Sequence, residues 1–149
     1  MKILIACSSG GHLAHAFALQ SWWSQHERLW VTSPTDDARA KLVGERVIEA
    51  HHPTTRNVPN LLRNTVLARR VLKEYRPDIV FSTGAAIAVP FLLQARSVGA
   101  RTVYLEAVDR IEKASLTGRM VYPFADEFLV QWQPLAESLP ESRNVGVIL

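Results

Sequence analysis

The stretch Ser8-Ser9-Gly10-Gly11-His12-Leu13 decides how the rest of this chain is interpreted. It follows a short apolar run at residues 3–6 and precedes apolar residues at helical spacing, so it predicts a turn between a strand and a helix. The first N–H groups of a helix have no partner inside it, and the helix dipole favours negative charge there. The two glycines let an oxygen-rich ligand approach the backbone closely. The turn therefore predicts either a phosphate- or diphosphate-binding site, or a tight strand-to-helix turn without a ligand.

Strands and helices alternate along the whole chain. The apolar patterns predict strands at Lys2–Cys7 and at residues 29–32, 46–50, 79–82, 102–106 and 127–131, and helices at residues 12–24, 34–43, 60–75, 88–98, 115–124 and 134–139. Residues 144–149 are expected to form a last strand or an exit linker. This alternation predicts an α/β fold, with a doubly wound, mostly parallel sheet and helices on both faces.

The third predicted helix carries the most detailed expectation. Asn60 is expected to cap its start, and Pro77 to stop it. Its inward face is predicted to consist of apolar side chains, namely Leu61, Leu62, Val66, Leu67, Val71 and Leu72.

Composition limits the classes of function. A chain of 149 residues is expected to form one domain, and its net charge of +3 suits a phosphate-bearing ligand or an anionic membrane surface. We expect no nucleic-acid partner, because no dense run of lysine or arginine is present. Cys7 alone cannot form an internal disulfide, and His51 and His52 lack companions at metal-ligand spacing, so we expect neither a metal site nor a cofactor.

Targeting signals are also expected to be absent. The first apolar run is too short for a signal peptide and is itself a strand, and no run of about 18 apolar residues is present. The sequence therefore predicts a cytoplasmic location.

Three polar segments follow predicted strands, at residues 8–12, 82–86 and 106–118. Ligands of doubly wound folds bind beyond the carboxyl ends of the strands, so this convergence favours a ligand at the first turn. The arrangement differs from a dinucleotide site, because no third glycine completes the G-x-G-x-x-G pattern, and a Walker A loop is also absent.

Two side chains are candidates for acid–base chemistry. His12 could donate to a phosphate or act as a base, or it could simply be hydrogen-bonded near a helix start. Glu106 closes an apolar strand, where it could orient an acceptor hydroxyl or serve as a structural carboxylate. His15 follows His12 by about one helical turn, and we expect it to be exposed.

The polar loop after the fifth strand is the third candidate. It contains Arg110, Glu112, Ser115 and Thr117, and it runs into Gly118. The fork of donors on arginine suits phosphate oxygens. A solvated loop with ion pairs is the alternative.

Several of these motifs together resemble a known family. The motifs are Ser9-Gly10-Gly11-His12-Leu13, residues 77–84, and the series Leu105-Glu106, Arg110-Ile111-Glu112, Ser115-Leu116-Thr117-Gly118-Arg119 and Val130-Gln131-Trp132. They resemble the membrane-associated subunit of the two-part N-acetylglucosaminyl-diphosphodolichol transferase and its bacterial relatives in capsule and exopolysaccharide synthesis. The chain departs from the family at His15, where relatives often have an acid or amide, and at Asp109, which replaces a small residue.

The resemblance implies a fold and a function. Such proteins correspond to the N-terminal half of a GT-B glycosyltransferase, so residues 1–149 are expected to form a single acceptor-binding domain. This half would bind a polyprenyl-diphosphate-linked saccharide, while a second glycosyltransferase subunit carries the UDP-sugar site.

The resemblance also implies a set of site residues. His12 and Glu106 are the catalytic candidates. The acceptor- or phosphate-binding candidates are Ser9, Gly10, Gly11, His12, Thr83, Gly84, Arg110, Glu112, Ser115, Thr117 and Gly118.

Membrane contact is expected without the N-terminal anchor of the dolichol-pathway member. Trp22 and Trp23 end the first predicted helix, and the long helix carries Arg63, Arg69, Arg70 and Lys73. Aromatics with cations are typical of an interfacial surface, so we expect peripheral contact with the inner face of the cell membrane. The alternative is core tryptophan with a solvated basic face.

Two other functions stay open. The chain could be a non-catalytic scaffold that anchors and activates a glycosyltransferase partner. It could also be a free-standing nucleotide-binding domain.

Overall fold

The computed structural model describes residues 1–148, and within them the chain forms a seven-stranded parallel sheet in the order β3-β2-β1-β4-β5-β6-β7. The strands are β1 (Lys2–Cys7), β2 (Glu27–Thr32), β3 (Val47–Glu49), β4 (Ile79–Gly84), β5 (Arg101–Leu105), β6 (Glu127–Val130) and β7 (Ser142–Asn144). Every neighbouring pair is parallel. The predicted doubly wound α/β fold is confirmed.

Helices connect the strands and cover both faces of the sheet. They are α1 (Gly11–Phe17), α2 (Gln20–Trp23), α3 (Asp36–Lys41), α4 (Val58–Tyr75), α5 (Ala88–Gln94) with a 3₁₀ turn at Ala95–Val98, α6 (Leu116–Val121) and α7 (Gln133–Ser138). No helix within residues 1–148 is long and apolar enough to cross a membrane.

Alternation along β1 explains the two cores. Successive side chains of a strand point to opposite faces. Leu4 and Ala6 therefore enter the core under α4 to α7, while Ile3, Ile5 and Cys7 enter the core under α1 to α3. All five side chains are fully buried, as expected for a strand in the middle of a sheet with helices on both faces.

The first predicted helix is broken into two. The expected helix at residues 12–24 appears as α1 and α2, because the Leu19 N–H donates to the Ala16 carbonyl at 3.1 Å, three residues back, instead of continuing the α-helical ladder. The indole N–H of Trp23 donates to the same carbonyl at 2.9 Å. The tightened turn thus brings Trp23 back onto the helix that precedes it.

The start of α4 lies earlier than predicted. Asn57, not Asn60, is the cap, and its side-chain oxygen accepts from the Asn60 N–H at 2.9 Å. Pro59 occupies the first turn, where its missing N–H costs no helical hydrogen bond.

The predicted inward face of α4 is wrong at Leu61, Leu62 and Val66, which are exposed. The buried face instead includes Asn60 and Asn64 beside Leu67, Ala68, Val71, Leu72 and Tyr75. Asn64 can be buried because its amide exchanges two hydrogen bonds with the main chain of His51, at 2.9 and 3.1 Å. Burying this asparagine turns the apolar side chains of the first two turns toward solvent.

The end of the described chain runs past the sheet. The last strand is Ser142–Asn144, and residues 145–148 continue without regular structure. Residue 149, the end of the predicted strand or linker, lies outside the described residues.

Candidate functional site

The strand order reverses between β1 and β4. The chain leaves β1 toward α1 on one face of the sheet, and it leaves β4 toward α5 on the other. In open parallel sheets, this switch point opens a crevice at the carboxyl ends of the strands. The turn at residues 8–12, the turn after β4 and the loop after β5 all meet there, as the sequence predicted.

His12 is held by the turn after β4. Its Nδ1 lies 2.7 Å from the Thr83 carbonyl oxygen, and the Thr83 hydroxyl donates to the His12 carbonyl at 2.7 Å. A carbonyl oxygen only accepts, so we assign the proton of the neutral ring to Nδ1. Nε2 is then the ring nitrogen that can accept a proton.

Gly84 allows this close approach. Its φ is +109°, and a Cβ there would lie 2.8 Å from Cε1 and 2.9 Å from Nδ1 of His12. Residue 84 must therefore be glycine for two reasons: its φ is positive, and the His12 ring occupies the space of a Cβ. Thr83 and Gly84 are buried, so they position His12 rather than present their own side chains to a ligand.

One main-chain N–H in the turn at residues 8–12 already has a hydrogen-bond acceptor. The Gly10 N–H donates to Asp37 Oδ2 at 3.0 Å, and the Thr35 hydroxyl donates to Asp37 Oδ1 at 2.6 Å. These hydrogen bonds, that from Thr35 first, lower the pKa of Asp37 below its ordinary value. The Gly10 amide therefore already has an acceptor, and its predicted contact with a phosphate stays a prediction.

Gly11 and His12 belong to the first turn of α1, whose N–H groups have no acceptor inside the helix. Their N–H groups remain free of helical acceptors and can meet an anion. Ser9 lies before α1, in the loop after β1, and is half-buried.

Glu106 is a fully hydrogen-bonded carboxylate, 1% exposed. Oε1 accepts from the Ala107 N–H at 3.1 Å and the Tyr104 hydroxyl at 3.2 Å, and Oε2 accepts from the Ser115 N–H at 2.9 Å. The Ser115 hydroxyl lies 3.0 Å from both oxygens. This geometry favours the structural alternative for Glu106, which closes the loop between β5 and α6.

Ser115 and Gly118 complete that closure. The Ser115 side chain caps α6 by accepting from the Gly118 N–H at 2.9 Å. A Cβ at residue 118 would overlap Glu106 Oε2, so glycine is required there for space.

Burial, and then the charge of Glu106, raise the pKa of Tyr104. Tyr104 therefore stays a neutral donor to the carboxylate.

A cavity of about 380 Å³ lies against this loop, and five of the predicted site residues line it. We call it the polar cavity, and its lining residues are His12, Thr55, Arg56, Ala85, Ala86, Tyr104, Glu106, Ala107, Asp109, Arg110, Ser115, Leu116 and Thr117. Gly118 is buried behind this wall, and Glu112 is exposed outside it. The structure thus brings His12, Arg110, Ser115 and Thr117 together.

Arg56 is the lining residue that the sequence analysis missed. It has a φ of +49° and ends the loop between β3 and the Asn57 cap of α4. The signal was its position after the carboxyl end of a strand, the same rule that selected the other segments. With Arg110, it gives the lining of the polar cavity two arginine residues. The carboxylate of Asp109 lies 4.0 Å from Arg110 Nε.

A second cavity, of about 480 Å³, lies on the other side of His12. His15 lines it and is buried, contrary to the expectation of exposure, because its Nε2 lies 2.9 Å from the Ile148 carbonyl. The missed residue here is Gln131, which donates to the Glu106 carbonyl at 3.0 Å and accepts from the Ile148 N–H at 2.7 Å. Gln131 therefore ties residues 145–148 to the tip of β5.

The predicted membrane residues do not form an exposed pair. Trp23 is 1% exposed and packs edge-on against Trp30, and Trp22 is half-buried against Phe81. A buried indole cannot contact a membrane, so the prediction for Trp23 is wrong and the core alternative holds. Among residues 1–148, no cluster of three or more His, Cys, Asp and Glu side chains is placed to hold a metal ion.

These features define the class of protein as a Rossmann-like α/β domain of the GT-B type, with its polar side chains gathered at the switch point. The structure of MurG from Acinetobacter baumannii superposes with a TM-score of 0.74 at 20% identity, over 89% of this chain and 42% of that chain. This chain therefore spans less than half of MurG.

A family model described as "Oligosaccharide biosynthesis protein Alg14 like" matches residues 38–148, and the chain belongs to the Alg14 family. The UDP-N-acetylglucosamine transferase subunit ALG14 of Yarrowia lipolytica is 25% identical over 99% of this chain and 81% of that protein. The UDP-N-acetylglucosamine–N-acetylmuramyl-(pentapeptide) pyrophosphoryl-undecaprenol N-acetylglucosamine transferase of Rippkaea orientalis is 31% identical over 98% of this chain and 44% of that protein.

Proposed function

We propose that this chain is the acceptor-side subunit of a two-part UDP-sugar transferase in polysaccharide biosynthesis. Residues 1–149 form one N-terminal-type GT-B lobe, which binds a polyprenyl-diphosphate-linked saccharide. A second subunit carries the UDP-sugar site. One finding supports this: the related Yarrowia protein is named a UDP-N-acetylglucosamine transferase subunit.

The observation that carries the proposal is the composition of the polar cavity. His12, whose imidazole has an acceptor nitrogen, lines this cavity together with Arg56 and Arg110. Guanidinium groups bind phosphate oxygens through paired hydrogen bonds. A diphosphate and a nearby hydroxyl are the chemistry that this set of groups suits.

We assign the chemical step to these groups. The acceptor hydroxyl attacks the anomeric carbon of the donor sugar, the bond from that carbon to the UDP oxygen breaks, and the configuration inverts. Nε2 of His12 takes the hydroxyl proton. Arg56, Arg110 and the amides of Gly11 and His12 hold the acceptor diphosphate, while Glu106 and Ser115 keep the loop that carries Arg110 in place.

We propose that this subunit acts at a membrane surface. Val58, Leu62 and Val66 of α4 are 62–72% exposed, on a helix that also carries exposed arginines. Exposed apolar side chains beside cations suit an anionic lipid surface. We therefore assign the predicted peripheral contact with the inner face of the cell membrane to α4, and not to the buried tryptophan.

The test is a transfer assay in membranes of the source cell. Deletion of this chain should abolish sugar transfer from the UDP donor to the lipid-linked acceptor, and adding the wild-type chain back should restore it. The purified chain alone should be inactive. Transfer by the purified chain without a second protein would overturn the two-part proposal.

A non-catalytic scaffold is the second candidate, and the complete hydrogen bonding of Glu106 favours it over a two-residue catalytic role. A scaffold would keep full turnover after replacement of His12 by alanine. A free-standing nucleotide-binding domain is the third candidate. Tight binding of a UDP-sugar by the isolated chain would favour it.

A further inference from the structure

The polar cavity borders a second, apolar depression. This depression has a volume of about 300 Å³, and we call it the apolar groove; it is lined by Thr54, Arg56, Asn57, Val58, Leu61, Ala86, Val89, Leu116, Thr117 and Met120. Four residues line both spaces, namely Arg56, Ala86, Leu116 and Thr117. The two spaces therefore adjoin along these four residues, and we call the pair of spaces the path.

The apolar groove lies between the starts of α4 and α6. Leu61 is 36% exposed, Met120 is 44% exposed and Leu116 is 69% exposed, so these side chains reach solvent rather than fill the core. A contiguous exposed apolar surface of this kind marks a binding site more often than chance exposure does.

Charge changes sharply along the path. Arg56 stands where the polar cavity meets the apolar groove, and Arg110 lies farther into the polar cavity. Beyond Arg56, the groove wall is formed by aliphatic side chains, Val58, Leu61, Val89 and Met120 among them. This sequence of groups matches a molecule with an anionic head joined directly to a hydrocarbon chain.

We propose that the apolar groove holds the first isoprene units of the lipid diphosphate, with Arg56 at the junction between head and chain. The inference rests on the proposed function and adds a place for the lipid chain. It makes the chain itself, and not only the diphosphate and the saccharide, a recognised part of the acceptor.

The path also has an outlet. Along α4, residues 58, 61, 62 and 66 follow the spacing of one helix face. Leu62 and Val66 lie beyond the groove residues on this face and are exposed. A prenyl chain that leaves the groove along α4 therefore stays on apolar side chains until it reaches the membrane.

The test compares two ligands of the isolated chain by titration calorimetry. The ligands are inorganic diphosphate and farnesyl diphosphate, which adds three isoprene units, at concentrations below its micelle range. Burial of even a few methylene groups should make farnesyl diphosphate bind at least about tenfold more tightly than diphosphate. Equal affinity for the two ligands would overturn the inference and leave the diphosphate site intact.

Variants separate the two parts of the path. Leu61→Asn and Met120→Asn should weaken farnesyl diphosphate about tenfold and leave diphosphate unchanged, since a polar amide replaces an apolar wall. Arg56→Ala should weaken both ligands. Val43→Asn is the matched control, because Val43 is 82% exposed and lines neither space.

The remaining outcomes are also decisive. If the groove variants reduce binding to lipid vesicles but not to farnesyl diphosphate, the groove contacts the membrane surface and the inference is wrong. If the wild-type chain binds neither ligand, the polar cavity is not an anion site, and the proposed function fails with it. Both groove side chains are partly exposed, so thermal unfolding should show that these variants fold.

Discussion

His12 and Thr83 are joined by two hydrogen bonds: His12 Nδ1 donates to the Thr83 carbonyl at 2.7 Å, and the Thr83 hydroxyl donates to the His12 carbonyl at 2.7 Å. The two contacts join the start of α1 to the end of β4 across the switch point. The bond from Nδ1 to the Thr83 carbonyl fixes both the orientation and the tautomer of the ring.

Replacement of His12 should separate catalysis from assembly. His12→Ala should lower the rate of sugar transfer by a factor of about 10² to 10⁴, the usual contribution of a general base, with unchanged binding to the second subunit. Thr83→Val is the matched control, because it keeps the carbonyl that orients His12. It should retain transfer within a few-fold. An active His12→Ala complex would favour the scaffold function.

Glu106→Gln should act mainly on stability. The amide turns one of two hydrogen-bond acceptors into a donor that faces the Ser115 or Tyr104 donors. We expect the free energy of unfolding to fall by about 1–3 kcal/mol in a denaturant titration. Glu112→Gln, on an exposed side chain, should change it by less than about 0.5 kcal/mol. A fully stable but inactive Glu106→Gln protein would return Glu106 to a catalytic role.

Gly118→Ala tests the packing of the same loop. The added methyl group would overlap the Glu106 carboxylate, so the free energy of unfolding should decrease by about 1–3 kcal/mol. Gly11→Ala is the control, since its Cβ would meet no atom within 4 Å and its φ is not in the left-handed region. The same denaturant titration should show it at wild-type stability or slightly above. Equal stability of the two variants would contradict the contact between Gly118 and Glu106.

Cys7 should make stability fall in alkaline solution. Burial raises the pKa of its thiol to about 12, against a smaller opposite effect of the Thr83 hydrogen bond. Above about pH 9 the unfolded chain loses this proton while the folded chain keeps it, so the stabilisation present below pH 9 decreases as the pH rises toward 12.

The measurement is the free energy of unfolding at several alkaline pH values. Between pH 8 and pH 10.5, wild-type stability should decrease by about 2 kcal/mol more than that of Cys7→Ala. Tyr75 and Tyr104, whose pKa values are also raised by burial, contribute equally to both proteins. Parallel pH profiles of the two proteins would contradict the burial of the thiol.

The exposed face of α4 should bind lipid. The double variant Leu62→Gln, Val66→Gln should lower co-sedimentation with anionic phosphatidylglycerol vesicles about tenfold at low salt, because it removes apolar contact and leaves the arginines. Val43→Gln, which changes an exposed valine in the turn after α3, should have no effect. Failure of the wild-type chain to bind these vesicles at low salt would remove the membrane proposal.

The order of elements could be predicted from the sequence because the apolar runs are short and each is followed by a turn. The carboxyl-end rule then placed His12, Arg110, Ser115 and Thr117 in one cavity. The same rule, applied to the third strand, would have found Arg56. Periodicity alone did not find it, since a single arginine in a polar loop has no pattern.

Several of the differences between prediction and structure share one physical source, namely polar partners that are distant in sequence. Asn64 is buried by its bonds to His51, and this reverses the face of α4. His15 is buried by its contact with Ile148, and Gly10 loses its amide to Asp37. A local sequence pattern cannot predict any of these pairs, because each pair forms between elements that are distant in sequence.

The burial of Cys7 also makes site-specific labelling simple. A cysteine introduced at Val147, which is 48% exposed and adjoins the Ile148 wall of the larger cavity, would be the thiol that a maleimide dye modifies at neutral pH. The native residue need not be replaced first. A fluorophore there would sit at the rim of the site and could report arrivals of acceptor or partner in real time.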